Sequence, residues 1–130
     1  MNIDLKTLTI EKAGAHLRAR DFSARELAES YRQKIEKENS DLNAYLEVFS
    51  AGGGSASGGD DCLAQADAAD KILREGNAEA LTGIPLAIKD NILIQGQRVT
   101  CGSRILEGYR ATYDAEAIEK RVREFETERT

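Results

Sequence analysis

Residues 81–106, LTGIPLAIKDNILIQGQRVTCGSRIL, constrain this chain more than any other stretch. Ile84, Leu86, Ala87 and Ile88 run up to Lys89-Asp90-Asn91, and Ile92, Leu93 and Ile94 follow. Apolar side chains at consecutive positions point to both sides of an extended chain. The run therefore predicts a strand covered on both faces, as in a sheet flanked by helices. A lysine drawn into such a place loses hydration, so it must be paired, deprotonated or set beside a polar cavity. Lys89 is the candidate functional residue on this ground. The plainer alternative is a structural lysine that buries its methylenes and keeps its ammonium in water, or pairs with Asp90.

The 130 residues suffice for one small domain with its own core and are too few for two. A composition of 41% hydrophobic and 32% charged residues is that of a globular chain. The net charge of −5 argues against broad nucleic-acid or membrane-surface binding. Met1-Asn2-Ile3-Asp4 opens without the basic start and apolar run of a secretory leader. No window approaches the roughly 20 apolar residues needed to span a membrane. Cys62 and Cys101 lack metal-ligand spacing, and two free thiols in a reducing cytoplasm are the expectation.

In chain order, Thr9 predicts the cap of a helix over residues 10–19, with Ile10, Ala13 and Leu17 on one face. His16, the one histidine, has no ligand-type residue at ligand spacing and reads as a surface residue. Ser23-Ala24-Arg25-Glu26 is a capping box that starts a second helix, expected to run to about Glu38 with Leu27, Tyr31 and Ile35 inward. Residues 39–43 read as a polar turn and residues 44–49 as a strand. Residues 51–60, dominated by glycine and serine, read as a flexible connector, since no G-K-[ST] ending is present to reach a nucleotide phosphate.

A third helix is expected from Asp60 or Asp61 to about Arg74. Leu63, Ala66, Ala69 and Leu73 face inward, Asp67, Asp70 and Lys71 face water, and Gly76 is the stop. Beyond the lysine run come a turn at residues 95–97, a short strand at 98–100 and a brief helical turn from Gly102-Ser103 through Leu106. A last helix lies within residues 113–126, with Asp114 as its cap and Ala117, Ile118, Val122 and Phe125 as its apolar face.

G-I-P-L-A-I-K-D-N followed by G-x-x-x-T-C-G-S-R-I-L resembles the lysine-bearing block of the amidase signature family. Within that family it most resembles the A subunits of glutamyl-tRNA(Gln)/aspartyl-tRNA(Asn) amidotransferases. Two helices leading to N-A-Y-L, and the later Tyr113-Asp114-Ala115, resemble the same subunits more loosely. The likeness extends over nearly the whole chain outside residues 51–60 and 126–130, which makes residues 51–60 an insertion relative to the family.

The resemblance implies an α/β fold: the N-terminal part of the amidase signature fold, helices packed on core strands of a mixed sheet. It also implies that residues 1–130 are a truncated portion of that domain, incomplete alone and marginally folded or prone to associate. In the family the block's lysine is the base of a serine, cis-serine, lysine triad, and Lys89 alone holds that position here. The nucleophile, the cis-serine and the oxyanion donors are expected downstream, so Ser103 and Ser55 are not assigned to these roles and the isolated chain is expected to be inactive.

The implied function is glutamine hydrolysis in support of ATP-dependent conversion of Glu-tRNA(Gln) to Gln-tRNA(Gln), or Asp-tRNA(Asn) to Asn-tRNA(Asn). B and C subunits are the implied partners in the cytoplasm. ATP and Mg belong to one of those partners, and no cofactor or metal is expected in this chain. The alternatives are part of a stand-alone amidase acting on small amides, or a non-catalytic helical module that binds a partner.

Overall fold

The computed structural model describes residues 3–49 and 61–120. These form two units, residues 3–49 with 61–86 and residues 87–120.

Three helices build the first unit. Helix α1, Ile10–Ala19, starts where the Thr9 side chain accepts from the Lys12 N–H at 3.2 Å. It ends at Arg20, whose positive φ of 62° turns the chain so that the Asp21 N–H reaches the His16 carbonyl at 3.0 Å. Helix α2, Ala24–Leu42, opens on the capping box expected at Ser23. Helix α3, Cys62–Glu75, is capped by Asp61 and stopped by Gly76, where φ is 81° and a glycine meets no Cβ penalty.

Helix α2 outruns its expected end at Glu38, taking Asn39, Ser40 and Asp41 into the helix and stopping at Asn43 with φ 48°. Asn39, read as a turn residue, instead ties the helix to the chain beyond it. Its amide accepts from the Tyr45 N–H and donates to the Tyr45 carbonyl, both at 2.8 Å.

The start of α2 leaves no first-turn donor unmet. Such a helix end has four orphan N–H groups, and leaving one buried and unpaired costs about 1–3 kcal/mol. Ser23 Oγ takes the Glu26 N–H at 3.0 Å, and the Glu26 carboxylate takes the Ser23 N–H at 2.8 Å. The other two are met from α3: the Asp70 carboxylate accepts from the Ala24 N–H at 2.7 Å and the Arg25 N–H at 3.2 Å. Asp70 therefore does not face water as its place on the polar stripe predicts. An anion there also opposes the positive end of the helix dipole. Next to it, Asp67 pairs with the Arg25 guanidinium.

Ala13, Leu17, Phe22, Ala24, Leu27, Ala28 and Ala66 form the buried core of this unit, with Tyr31, Leu63, Ala69, Leu73 and Ile84 packed around it. Ile10, expected inward, is 58% exposed. Gly83 lies where the helices meet. A Cβ there would stand 2.9 Å from Ala24 Cβ and 3.3 Å from a Leu17 methyl, and its φ is 81°.

Among the described residues no strand is formed, so the expected α/β sheet is not seen. Residues 44–49 and 86–94, predicted as strands, lie outside any ladder. A strand is stable only when paired, and periodicity says nothing of where the partner lies. The nearest approach to a sheet is in the second unit, at residues 96–99 and 109–111. There the Ala111 N–H meets the Gln97 carbonyl at 2.9 Å and the Val99 N–H meets the Tyr109 carbonyl at 3.2 Å, flanking the single antiparallel bridge between Arg98 and Arg110. Alternation holds over residues 97–99, where Gln97 and Val99 are buried and Arg98 is exposed, whereas on the facing segment Ala111 is buried and both Tyr109 and Arg110 are exposed.

The turn expected at 95–97 is present, with Gly96 at φ 81° and the Gln97 N–H on the Ile94 carbonyl at 2.9 Å. A 3-10 turn at Arg104–Leu106 matches the expected brief helix. The last helix begins at residue 116, behind the Ala115 carbonyl. Asp114 is not its cap: this carboxylate instead accepts from the Gln95 N–H at 2.7 Å, tying the helix start to the 94–97 turn. On that helix Ala117 is exposed and Ile118 half-buried, whereas Val122 and Phe125 lie outside the described residues, as do residues 51–60.

Gly83→Ala adds a methyl group into the α1–α2–α3 junction and forces an L-residue to positive φ. The expected cost is about 2 kcal/mol or more. Urea denaturation followed by far-UV circular dichroism measures it, and an unchanged midpoint contradicts the packing described.

Candidate active site

Lys89 stands at the first position of a turn in which the Ile92 N–H donates to its carbonyl at 2.9 Å. Its side chain is exposed, and so are those of Leu86, at 53%, and Ile88, at 37%. The expectation of a lysine inside a strand covered on both faces is not met. With no paired strand and no second layer against residues 86–91, nothing among the described residues takes the lysine out of water.

Nor does Asp90 pair with Lys89. Both of its carboxylate oxygens go to Thr100, one accepting the backbone N–H at 3.0 Å and the other the hydroxyl. The Asp90 carbonyl accepts the Cys101 N–H at 3.0 Å. Hydrogen bonds to the charged form favour it, so the Thr100 hydroxyl, then the Thr100 N–H, hold Asp90 below the ordinary carboxylate value of 3.8, and the charge of Arg98 acts in the same direction.

Residues 100–103 form a tight turn closed by the Ser103 N–H on the Thr100 carbonyl at 2.8 Å, with Cys101 at φ 51° and Gly102 at φ 69°. Two successive positive φ values are those of a type I′ turn. T-C-G-S thus reads as backbone geometry, and the turn hands Thr100 back to Asp90. A single sequence holds no signal for this bond, because the partners are ten residues apart on no common periodic face.

The other singled-out residues lie elsewhere. Cys62 and Cys101 are free thiols, and burial pushes the Cys62 thiol up, with the Asp61 charge adding to it. His16 is exposed, its Nδ1 2.6 Å from an Asp21 carboxylate oxygen and its ring against Phe22. Ser103 makes no capping bond with its side chain, and Ser55 lies outside the described residues. Gln97, 3% exposed, has a side-chain N–H group with no partner among the described residues. No three metal-binding side chains cluster among the described residues, and no described helix is long and apolar enough to cross a membrane.

The sequence profile of the family described as Amidase matches residues 26–123, which take in α2 from Glu26 onward, α3, the Lys89 turn and the 100–103 turn. This chain belongs to the amidase family. Among curated amidase relatives it is similar to the A subunit of the glutamyl-tRNA(Gln) amidotransferase of Chromohalobacter salexigens, 44% identical over 115 residues, and to that of Granulibacter bethesdensis, 44% identical over 120 residues. The corresponding protein of Acinetobacter baumannii is 40% identical over 117 residues. These alignments cover 88%, 92% and 90% of this chain but only 21%, 22% and 22% of the respective relatives. The chain therefore spans about a fifth of the length of the relatives it matches.

Because the folded state depresses Asp90, its carboxylate contributes stability that is full above the unfolded value near 3.8 and is lost as pH falls through the lower native value. In an NMR acid titration, the Thr100 amide is expected to shift with a midpoint below 3.8, and Asp90→Asn to abolish that transition. A midpoint at or above 3.8 contradicts the bond to Thr100.

Proposed function

We propose that this chain is the lysine-bearing N-terminal portion of an amidotransferase A subunit, and that Lys89 is its catalytic base. The observation that carries this is 44% identity over 115 residues to the A subunit of a glutamyl-tRNA(Gln) amidotransferase, within a chain whose amidase match includes the Lys89 block.

A serine hydroxyl is almost wholly protonated at neutral pH, so an amidase needs a base to make it a nucleophile. Lys89 in its neutral form takes that proton, directly or through a bridging serine, and returns it to the leaving amine. Both serines and the oxyanion donors belong to parts of the domain other than residues 1–130. Glutamine is the amide donor. The ammonia released serves amidation of Glu-tRNA(Gln), or of Asp-tRNA(Asn), in a complex with B and C subunits, one of which uses ATP and Mg.

An amine fit for this task must leave water, since a hydrated ammonium keeps its proton. Leu86 and Ile88 lie exposed on the approach to Lys89. Apolar side chains at that place support a surface that further strands of the same domain cover. Such strands also supply the sheet partners that residues 86–94 lack, and residues 51–60 are an insertion that the amidase scaffold tolerates.

The test replaces the matching first fifth of the Chromohalobacter salexigens protein with this chain and assays glutamine hydrolysis in the assembled amidotransferase. The hybrid is expected to be active, and Lys89→Ala to lower kcat by about 10³-fold, within the range of a lost general base. A Lys89→Ala hybrid that keeps its activity removes Lys89 from the mechanism.

A further inference from the structure

A lysine side chain has four rotatable bonds, so the direction of its amine depends first on how firmly its backbone is held. The Lys89 turn has one internal hydrogen bond, from the Ile92 N–H to the Lys89 carbonyl at 2.9 Å. Its firmer attachment is the next residue. Asp90 receives three bonds from two neighbours: the N–H and hydroxyl of Thr100 on its carboxylate, and the N–H of Cys101 on its carbonyl.

Thr100 is itself held, because its hydroxyl oxygen accepts the Gly102 N–H at 3.2 Å and its carbonyl accepts the Ser103 N–H at 2.8 Å. Cys101 sits at φ 51°, in the left-handed region that favours glycine, and it does so while bonded to the residue beside Lys89.

We propose that Asp90 and Thr100 are positioning residues for the amidase reaction, fixing the backbone from which the Lys89 amine reaches the serines and keeping the adjacent carboxylate from pairing with that amine. This rests on Lys89 being the base. The second half of the role follows from the direction in which the carboxylate is held. Both Asp90 oxygens are bonded to Thr100, which turns the carboxylate to the 100–103 turn and away from the adjacent amine, and an ion pair with that amine would hold the lysine in its charged form. The first half follows from the tolerance of catalysis to geometry, since a misplacement of about 1 Å costs roughly 10²-fold in rate.

Thr100→Val keeps the shape of the side chain and deletes the hydroxyl, whereas Thr100→Ser keeps the hydroxyl. In the full 130-residue chain, amide exchange measured by NMR at Cys101 and Ile92 is expected to speed up about tenfold in Thr100→Val, the scale of a lost bond to a charged group. Thr100→Ser is expected to stay close to the unsubstituted chain, and α1–α3 to be unaffected in both.

In the hybrid amidotransferase, Thr100→Val is expected to lower kcat about 10²-fold with little change in KM, and Thr100→Ser to restore it. Unchanged exchange at Cys101 and Ile92 overturns the proposal. A fully active Thr100→Val hybrid beside an inactive Lys89→Ala hybrid overturns it while leaving Lys89 as the base. An active Lys89→Ala hybrid overturns both.

Discussion

The helical unit depends on one carboxylate. Asp70, on the third helix, meets the two first-turn N–H groups of the second helix that the local capping box leaves unpaired. Apolar contact alone lets two helices slide. A carboxylate bonded to two adjacent backbone amides fixes both the register and the angle of approach, and it does so at the end of the helix where an anion is most welcome. The arginine at those amides in turn pairs with Asp67, one turn earlier on the third helix. With the helices so placed, Leu17, Ala24 and Leu73 leave a gap that only a residue without a side chain can occupy, and Gly83 occupies it. The first residues of the G-I-P run are thereby seated on the helices.

The parts of the structure legible in the sequence are those whose chemistry is local. Thr9, Ser23 and Asp61 cap helices because their oxygens reach amides two or three residues on, and Gly76 ends one because it tolerates positive φ. The inward stripes of the second and third helices follow from spacing, and Ala24, Leu27 and Ala66 are buried as that spacing requires. Asp70 was out of reach, because its partners lie 45 and 46 residues away. Asp114 misled for a similar reason: an acceptor before a helix is the sequence mark of a cap, but the free N–H of Gln95 competed for it.

The lysine run shows a different kind of limit. Consecutive apolar residues around Lys89 state that this segment is built to be buried on both sides, and they are silent on whether the burying elements lie in the same stretch of chain. Here Lys89 is exposed and its neighbours Leu86 and Ile88 are uncovered. Under the function proposed above, further parts of an amidase domain would cover these side chains. The segment is shaped locally, by the Asp90–Thr100 bonds and the turn at residues 100–103.

Whether the rest of an amidase domain covers this amine is open to direct measurement. Lysine acetylation kinetics, resolved by peptide mass spectrometry, compare Lys89 in the 130-residue chain with Lys89 in the full-length hybrid. The account predicts labelling at the rate of other exposed lysines such as Lys71 in the short chain, and slowing of about tenfold or more in the hybrid, as befits an amine buried against apolar surface. Equal labelling in both leaves Lys89 on an open surface and contradicts its assignment as the base.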